Sequence, residues 1–335
     1  MLAKQYMSLG LMREEVLTIT GLTRHDLYYQ STGRKVGKQA THWTLFKDPA
    51  TQLLTRRSNE EVVTDIISIL ADRDMPNWYR LVSATLQVRG WYINHKKVYR
   101  LERENGLLCK AKKRKGRNFV QYRRVCPEGP LRIIEMDIKY VWIAGKSCYA
   151  YVLTILDTFT RFALHWAVGY VMKQEQIKDA WDQVIVKYLQ PADLLKAQIS
   201  VEIRNDNGKQ FCSKMIQQYF QDNHLNQVFT HPYTPEENGH VESFHKTLGS
   251  SLKGAYFHTL KDLENRLNKF YQTYNNHRQH SSIAMLSPSM FWALWEDGQI
   301  EMVTFDKKKA RFKLRLSLQD VLSWKEIHRY DCSFG

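Results

Sequence analysis

From residue 131 onward the sequence alternates between strand-like and helix-like segments in an order that few folds can accommodate. Its first three segments are rich in β-branched and aromatic residues and are joined by short turns, which predicts strands over 132–142, 147–156 and 162–171. The expected elements that follow are a helix over 173–189, a strand over 199–205, a helix over 212–223, a short strand over 226–230 and a long helix from about 236. This order predicts an α/β layer fold with a mixed sheet.

Three acidic residues stand in three different kinds of local sequence within this region. Asp137 lies inside the first predicted strand, Asp206 ends the fourth, and Glu242 lies in the last predicted helix. Carboxylates carried by two strands and a helix can converge on one point, and hard cations such as Mg²⁺ bind oxygen ligands of this kind. Two such ions roughly 4 Å apart can hold the attacking and leaving oxygens of a phosphodiester displacement. The three side chains therefore predict a two-metal phosphoryl-transfer site.

Each carboxylate also has a plainer interpretation. Asp137 could face solvent on an edge strand, Asp206 could serve only the turn that Asn207-Gly208 begins, and Glu242 could be an ordinary surface glutamate. Burying a carboxylate that has neither a partner nor a metal is costly, which favours ligation for Asp137. Asp157 follows a predicted strand, and we expect it to organise the strand-end turn rather than to bind metal.

Histidines and cysteines give weaker signals. We expect a site-lining or DNA-contacting role for His231, Asn238 and His240. A phosphate-facing loop or a helix-end contact, rather than a zinc site, is predicted for His277, Arg278 and His280. The five cysteines include no Cys-x-x-Cys pair, so we expect them to be reduced, mostly structural and not bound to zinc.

The charge balance points to a polyanionic partner. The 335 residues carry a formal net charge of +15 with a pI near 9.5, and Lys and Arg bind nucleic acid by neutralising its phosphates. A membrane surface is the competing polyanion, but the longest apolar run, 149–156, is far too short to span a bilayer. No signal-peptide pattern opens the chain, so we expect a cytoplasmic protein that associates with the nucleoid and not with a membrane.

Composition divides the chain into six segments. They are a small helical unit at 1–31, a linker at 32–59, a three-helix unit at 60–108, a basic arm at 109–130, the α/β core at 131–260, and a C-terminal helix with a basic strand tail at 261–335. The first unit has predicted helices on both sides of Gly21, a pattern typical of a helix-turn-helix or of a plain helical hairpin. The tail should present one basic strand face made of Arg311, Lys313 and Arg315.

The three-helix unit ends in a basic helix over 95–105. Asn94 is a good N-cap for this helix and Gly106 a good C-terminal residue. Its basic side chains are Lys96, Lys97, Arg100 and Arg103. We predict that they enter a DNA major groove, although Glu102 and Glu104 would also suit a solvated helix face.

The basic arm contains no acidic residue over 109–124. Its cationic residues are Lys110, Lys112, Lys113, Arg114, Lys115, Arg117, Arg123 and Arg124, with Phe119 and Tyr122 between them. Such a run cannot form a core by itself. We therefore predict that it orders along a DNA phosphate backbone, the alternative being a solvated tether.

Several segments resemble the catalytic subunit of bacterial insertion-sequence transposases, which belong to the DDE, retroviral-integrase-like group. The matching segments are EMDIKYVWI around Asp137, 151–169, RNDNGKQF at 204–211, HPYTPEENGHVESFHKTL at 231–248 and 274–292. Residues 76–108 are similar to the helical DNA-binding region of the same family. The resemblance implies a ribonuclease-H-like catalytic core preceded by helical, helix-turn-helix-type DNA-binding units.

The resemblance also implies an activity. Asp137, Asp206 and Glu242 match the catalytic triad, which would hold two Mg²⁺ ions, with Mn²⁺ as a substitute. The protein would bind the terminal inverted repeats of its insertion sequence in double-stranded DNA, cleave the strand and transfer its end to target DNA. It would act as a dimer or larger homo-oligomer, alone or with a helix-turn-helix polypeptide from an upstream reading frame. The alternatives are a non-catalytic DNA-binding regulator and a hydrolytic nuclease of the same fold.

The chain departs from the family pattern at one position. Members often have a basic residue seven positions after the helix glutamate, where this chain has Gly249. Lys246 lies one helical turn after Glu242, and Lys253 follows nearby. We predict that one of these two lysines contacts DNA in place of the usual residue.

Overall fold

The computed structural model describes residues 2–28, 40–109, 125–194, 199–230, 238–305 and 309–321. Tertiary contacts divide the chain into two units, Met1–His42 and Trp43–Gly335. In the described part of the chain, no helix has the length and hydropathy needed to cross a bilayer. Residues 110–124 of the predicted basic arm lie outside the described ranges.

The first unit is built from short helices, α1 (Leu2–Ser8), α2 (Arg13–Thr20) and α3 (Arg24–Tyr28). Ala3, Val16 and Leu27 are buried together. Gly21 follows α2 with a φ of 65°, a left-handed conformation that glycine adopts without a steric penalty. The predicted order of helix, glycine turn and helix is therefore confirmed. DNA binding by this unit stays a prediction.

The second unit begins with a small mixed domain. Its elements are β1 (Trp43–Lys47), β2 (Leu54–Ser58), α4 (Asn59–Ala71), α5 (Tyr79–Val88), β3 (Trp91–Tyr92) and α6 (His95–Glu104). The helices match the predicted three-helix pattern because their ends are encoded locally. Ser58 accepts a hydrogen bond from the Glu61 amide, and Asn94 accepts one from the Lys97 amide.

The linker predicted over 32–59 is wrong for residues 43–58, which form two of the strands in the described sheet β2-β1-β3. The reason is a tertiary contact: Phe46 of β1 packs on Trp91 of β3 with ring centroids 4.8 Å apart. The guanidinium of Arg57 on β2 lies over the same Phe46 ring, 3.9 Å from its centroid. Such a short strand depends on an aromatic partner distant in the chain, so no local pattern marks it.

The core elements follow in the predicted order. They are β4 (Ile133–Ile143), β5 (Cys148–Asp157), β6 (Ala163–Gly169), α7 (Gln174–Val184), β7 (Val201–Asn205), α8 (Lys214–Asp222), β8 (Leu225–Phe229) and α9 (Gly239–Ser251). Within the described residues the sheet has five strands in the order β6-β5-β4-β7-β8. β4, β5 and β6 are antiparallel neighbours, whereas β4, β7 and β8 run parallel. The predicted mixed α/β, ribonuclease-H-like fold is confirmed.

Helices cover both faces of this sheet because side chains alternate along its strands. Ile134, Met136 and Ile138 of β4 belong to the apolar cluster that includes α7 and α8. The opposite face packs against α9 and α10 (Leu260–Asn276) through a second cluster that contains Val152 and Phe244. The odd-numbered residues of β4 therefore face α9.

The C-terminal segment continues with α11 (Pro288–Glu296), β9 (Ile300–Phe305) and β10 (Lys309–Leu314). Phe312 and Leu314 pack against the cluster that contains Phe291 of α11. The alternating side chains Arg311, Lys313 and Arg315 are exposed, so the predicted basic strand face is confirmed. Sequence patterns had not indicated α11 or β9.

A buried carboxylate joins the small domain to the α9–α10 layer. Asp74 lies between α4 and α5, is 1% exposed, and accepts hydrogen bonds from both terminal nitrogens of Arg266 on α10. The Ser251 hydroxyl at the end of α9 also donates to it. Burial by itself would raise the pKa of Asp74, but the hydrogen bonds from Arg266 and Ser251 outweigh burial and hold that pKa below its ordinary value.

We expect Asp74→Asn to destabilise the protein by about 3–5 kcal/mol at neutral pH, because it leaves the Arg266 guanidinium without its charged partner. The lowered pKa gives the pH dependence. The stabilisation is complete above the ordinary pKa of 3.8 and is lost as the pH falls through the lowered value. Urea unfolding of both proteins between pH 7 and strong acid measures this difference.

Asp222→Asn is the matched control, because Asp222 is exposed on α8 and bonds only to Gln218 in the described residues. The control should unfold like the parent protein. Equal stability of Asp74→Asn and the parent at pH 7 would contradict the assignment.

Candidate active site

Asp137 lies on β4 and faces α9. Its neighbours Met136 and Ile138 point into the α7–α8 cluster, so strand alternation turns Asp137 to the other side. One carboxylate oxygen accepts a hydrogen bond from the Ile138 amide at 2.7 Å. The other lies 3.1 Å from Nδ1 of His245 on α9, and the Asp137 side chain is 23% exposed. The predicted strand is confirmed and lies between β5 and β7 in the sheet, so the edge-strand placement is excluded, and the Asp137 side chain is partly buried.

Asp206 lies beside Asp137 because the parallel strands are in register. Glu135 of β4 pairs with Arg204 of β7, so two residues farther along each strand come Asp137 and Asp206. Burial raises the pKa of Asp206, and the nearby Asp137 carboxylate raises it further. Two acidic side chains are thus held together at the carboxyl end of β7.

Asp206 also has the turn role that was its plainer interpretation. Its Oδ1 accepts a hydrogen bond from the Gly208 amide at 3.0 Å. A Cβ at position 208 would lie 3.0 Å from this same Oδ1 and 2.5 Å from Nε2 of Gln210. Any side chain at position 208 would therefore crowd the carboxylate and displace Gln210, and the turn fixes the direction in which Asp206 points.

Glu242 lies in the first turn of α9, whose start is bonded to β4 by a residue that sequence reasoning missed. Glu135 is fully buried and accepts a hydrogen bond from the Val241 amide at 2.7 Å. Its other oxygen lies 2.8 Å from Nδ1 of His240. We call this arrangement the Glu135 anchor. An acidic residue two positions before Asp137, on the same strand face, was the available signal.

The third carboxylate does not complete a metal cluster in the structure. Within the described residues, which include Asp137, Asp206 and Glu242, no group of three or more His, Cys, Asp or Glu side chains is placed to hold one ion together. The Asp137–Asp206 pair suits a hard divalent cation by its chemistry, since both donors are carboxylates and their mutual repulsion is relieved by positive charge. Glu242 is carried by the first turn of α9, which the Glu135 anchor bonds to β4.

The other predicted site residues lie in different environments. Asp157 is fully buried and accepts hydrogen bonds from the Leu131 amide and from the amide and hydroxyl of Thr160, which confirms its turn role. His240 contacts the site through the Glu135 anchor, and Asn238, the N-cap residue of α9, is buried. Burial lowers the pKa of His280 to about 3. His231 lies outside the described residues.

The predicted DNA-contacting residues are placed unequally. Exposed side chains are those of Lys96, Arg103, Lys246 and Lys253. Lys97 donates to the Trp43 carbonyl oxygen, and Arg100 pairs with Glu104 at 3.8 Å. Glu102, which would have suited a solvated helix face, is instead buried, and burial raises its pKa to about 7. Arg278 donates to the Asp74 carbonyl oxygen and so has a structural partner.

The predicted arm residues lie outside the described ranges. They are Lys110, Lys112, Lys113, Arg114, Lys115, Arg117, Arg123 and Arg124. The cysteines at 109, 126, 148 and 212 form no disulfide in the described part of the chain. Cys109 and Cys212 are exposed, so these two are not core residues.

Comparison with known proteins relates the core to a family. Two family descriptions, both named Integrase core domain, match residues 127–235 and 223–288. A 31.7 kDa protein of insertion element IS407 from Burkholderia multivorans is 28% identical over 218 residues, which are 64% of this chain and 75% of that protein. The transposase for insertion sequence element IS904 from Lactococcus lactis is 26% identical over 152 residues, which are 45% of this chain and 57% of that protein. This chain belongs to the insertion-sequence transposases of the integrase superfamily.

A solved structure is similar to the core of this transposase at lower identity. The HTLV-2 integrase catalytic core domain in complex with magnesium is 21% identical. The match covers 48% of this chain and 94% of that one, with a TM-score of 0.35. By the family match, the integrase core of the transposase contains β4, β7 and α9, the elements that carry or lead into Asp137, Asp206 and Glu242.

We expect Glu135→Ala to release the start of α9, because the Val241 amide loses its acceptor in a buried position. Leaving such a donor unsatisfied costs about 1–3 kcal/mol. Amide hydrogen exchange at Val241 should become faster, and the protein should unfold at lower urea. Glu135→Gln keeps an acceptor for the Val241 amide, so its effect should be smaller.

Glu175→Ala is the control for this pair, because Glu175 is exposed on α7. It should leave exchange at Val241 unchanged. If Glu135→Ala exchanged at Val241 as slowly as the parent, the Glu135 anchor would not hold the helix.

Proposed function

We propose that this transposase cleaves DNA at the terminal inverted repeats of its element and joins the resulting 3′ end to target DNA, with Asp137, Asp206 and Glu242 as the metal-binding catalytic triad. The observation that carries the proposal is the register of β4 and β7. It sets Asp137 and Asp206 side by side, and burial together with the nearby Asp137 carboxylate raises the pKa of Asp206. A pair of carboxylates kept together in this way is an unfavourable arrangement unless a cation joins them.

Divalent cations bound here, Mg²⁺ or Mn²⁺, would activate the attacking oxygen and stabilise the leaving oxygen of the phosphodiester. Asp137 and Asp206 would hold them from the sheet, and Glu242 would contribute from α9. The protein's own part is positional. His245 orients Asp137, the Gly208 turn orients Asp206, and the Glu135 anchor keeps the first turn of α9 on β4.

DNA binding would rest on the exposed basic surface around this acidic centre. A net charge of +15 on a chain with a carboxylate cluster in its core leaves the surface strongly cationic. Lys96 and Arg103 on α6 are exposed and available to a DNA groove. The arm at 110–124 is proposed to follow the phosphate backbone. Two DNA ends must be processed together for joining, so we propose a dimer or larger assembly on DNA.

We expect Asp137→Asn, Asp206→Asn and Glu242→Gln each to abolish strand joining while DNA binding survives, because each removes a negative oxygen ligand with little change in shape. The measurement incubates protein with DNA carrying the element's ends and Mg²⁺ or Mn²⁺, and separates intact, nicked and joined products. Asp179→Asn, an exposed change on α7, is the matched control and should join DNA normally.

Each other outcome of this experiment has a definite meaning. Joined product from any one triad variant removes that residue from the triad. Intact DNA with the parent protein would indicate a non-catalytic regulator, and nicked DNA that is never joined would indicate a hydrolytic nuclease.

For the arm, we expect replacement of Lys110, Lys112, Lys113 and Lys115 by alanine to weaken binding to all DNA sequences alike. The plot of log affinity against log salt concentration should become shallower by about 0.9 for each phosphate that the arm no longer neutralises. Titrations with terminal-repeat DNA and with random-sequence DNA measure both effects. Weaker binding to the terminal repeat alone would contradict a backbone contact.

A further inference from the structure

Lys139 lies on the same face of β4 as Asp137, two residues farther along the strand. Strand geometry places such residues about 7 Å apart. Facing it on α9 is Gly249, where a Cβ would lie 3.5 Å from Nζ and 3.6 Å from Cε of Lys139. Apart from α9 itself, no other atom of the described residues comes within 4 Å of that position. The ammonium end of Lys139 therefore occupies the space next to α9 that a side chain at 249 would enter.

The position of this ammonium relative to the carboxylates follows from helix geometry. Gly249 is seven residues after Glu242, which is almost two full helical turns and about 10 Å along the axis. Both residues therefore lie on the same side of α9, the side that faces β4. Lys139 thus stands beside the row formed by Asp137 and Glu242, where it can meet the same DNA strand.

Among the residues that the structure describes, Lys139 has no competing protein partner. In the described part of the chain, no hydrogen bond or ion pair joins its ammonium to another residue, although it is only partly exposed. A half-buried ammonium without an anion is an unusual arrangement, because acids are normally recruited to such sites. The glycine opposite is also unfavourable for a helix, since glycine destabilises helix interiors relative to alanine. Both features are explained if the space is kept for an anionic ligand.

The surroundings suit nucleic acid in particular. Lys139 and Gly249 line a shallow groove of about 370 Å³ together with the exposed Tyr256, whereas the rings of Tyr140 and Trp142 lie on the opposite face of β4 and pack on Tyr149. An exposed aromatic ring next to a cation is typical of single-stranded DNA sites, because a base stacks on the ring while a phosphate meets the charge. This groove begins on β4 two residues beyond Asp137, so a strand lying in it would pass close to the carboxylate pair.

We infer that Lys139 binds a phosphate of the DNA strand whose end is processed at Asp137 and Asp206, and that Gly249 leaves the room for it. The inference rests on the proposed function, and it names a strand residue in place of Lys246 or Lys253 on and after α9. Those two lysines are exposed, but no contact in the described residues brings either ammonium to the groove beside Asp137. Lys139 is a DNA-positioning residue and takes no part in metal binding.

The test uses the full chain with a pre-cleaved element end and target DNA. Lys139→Ala should lower joining at least tenfold and make the salt dependence of DNA-end binding, measured without divalent cation, shallower by about one unit. Lys139→Arg should retain most joining, because it keeps the charge. Lys214→Ala, an exposed change on α8 at the other face of the sheet, should change neither readout.

A transplanted lysine separates the DNA contact from a structural role. In the double variant Lys139→Ala with Gly249→Lys, the new lysine side chain extends from α9 into the space that Lys139 vacated. DNA joining should therefore recover relative to Lys139→Ala alone. All variants should unfold at the parent temperature. A fully active Lys139→Ala protein, an unchanged salt slope, an equal loss in Lys214→Ala or a failure of the transplanted lysine to restore joining would each overturn the inference.

If the parent protein joins no DNA, the proposed function fails. The salt slopes of the parent and Lys139→Ala proteins then still decide whether Lys139 contacts phosphate.

Discussion

The buried Glu135 carboxylate is the interaction on which the arrangement of the site depends. Asp137 and Asp206 belong to neighbouring strands of one sheet, so hydrogen bonds of the ladder already relate them. Glu242 is on a helix that packs over the sheet through apolar contacts, and such contacts tolerate sliding more readily than a hydrogen bond does. The hydrogen bond from the Val241 amide to Glu135 fixes where α9 begins. It thereby fixes the position from which the Glu242 side chain extends.

The sheet of the core carries negative charge, whereas the chain as a whole is positively charged. The sheet holds Glu135, Asp137 and Asp206 close together, while the chain as a whole carries a net charge of +15. A DNA backbone is attracted by the surface and repelled by the centre. Cations at the centre would remove this repulsion, which couples metal binding to the approach of the scissile phosphate. Lys139 adds a fixed positive charge at the border between the two regions.

The order of elements in the core could be predicted because each segment carries its own pattern. Alternating and β-branched residues predicted β4 and β5 as strands, and the helical pattern predicted α9. These predictions fall within a few residues of the observed ends. Strands β1 and β2 could not be predicted, because Phe46 depends on Trp91 for its packing. Arg278 was expected at DNA, yet its partner is a carbonyl of the small domain, far away in the chain. The local sequence does not encode such contacts.

The sequence by itself determined the fold class, the basic character of the surface and the identity of the three acidic candidates, because these follow from local periodicity, composition and motif order. Only the tertiary structure decided which side chains meet. Strand register brought Asp206 to Asp137, the packing of α9 brought His245 to Asp137 and Lys139 to Gly249, and a buried bond tied Glu135 to Val241. These pairs join residues far apart in the chain, and their distances are set by the packing of the helix on the sheet, which no single segment encodes.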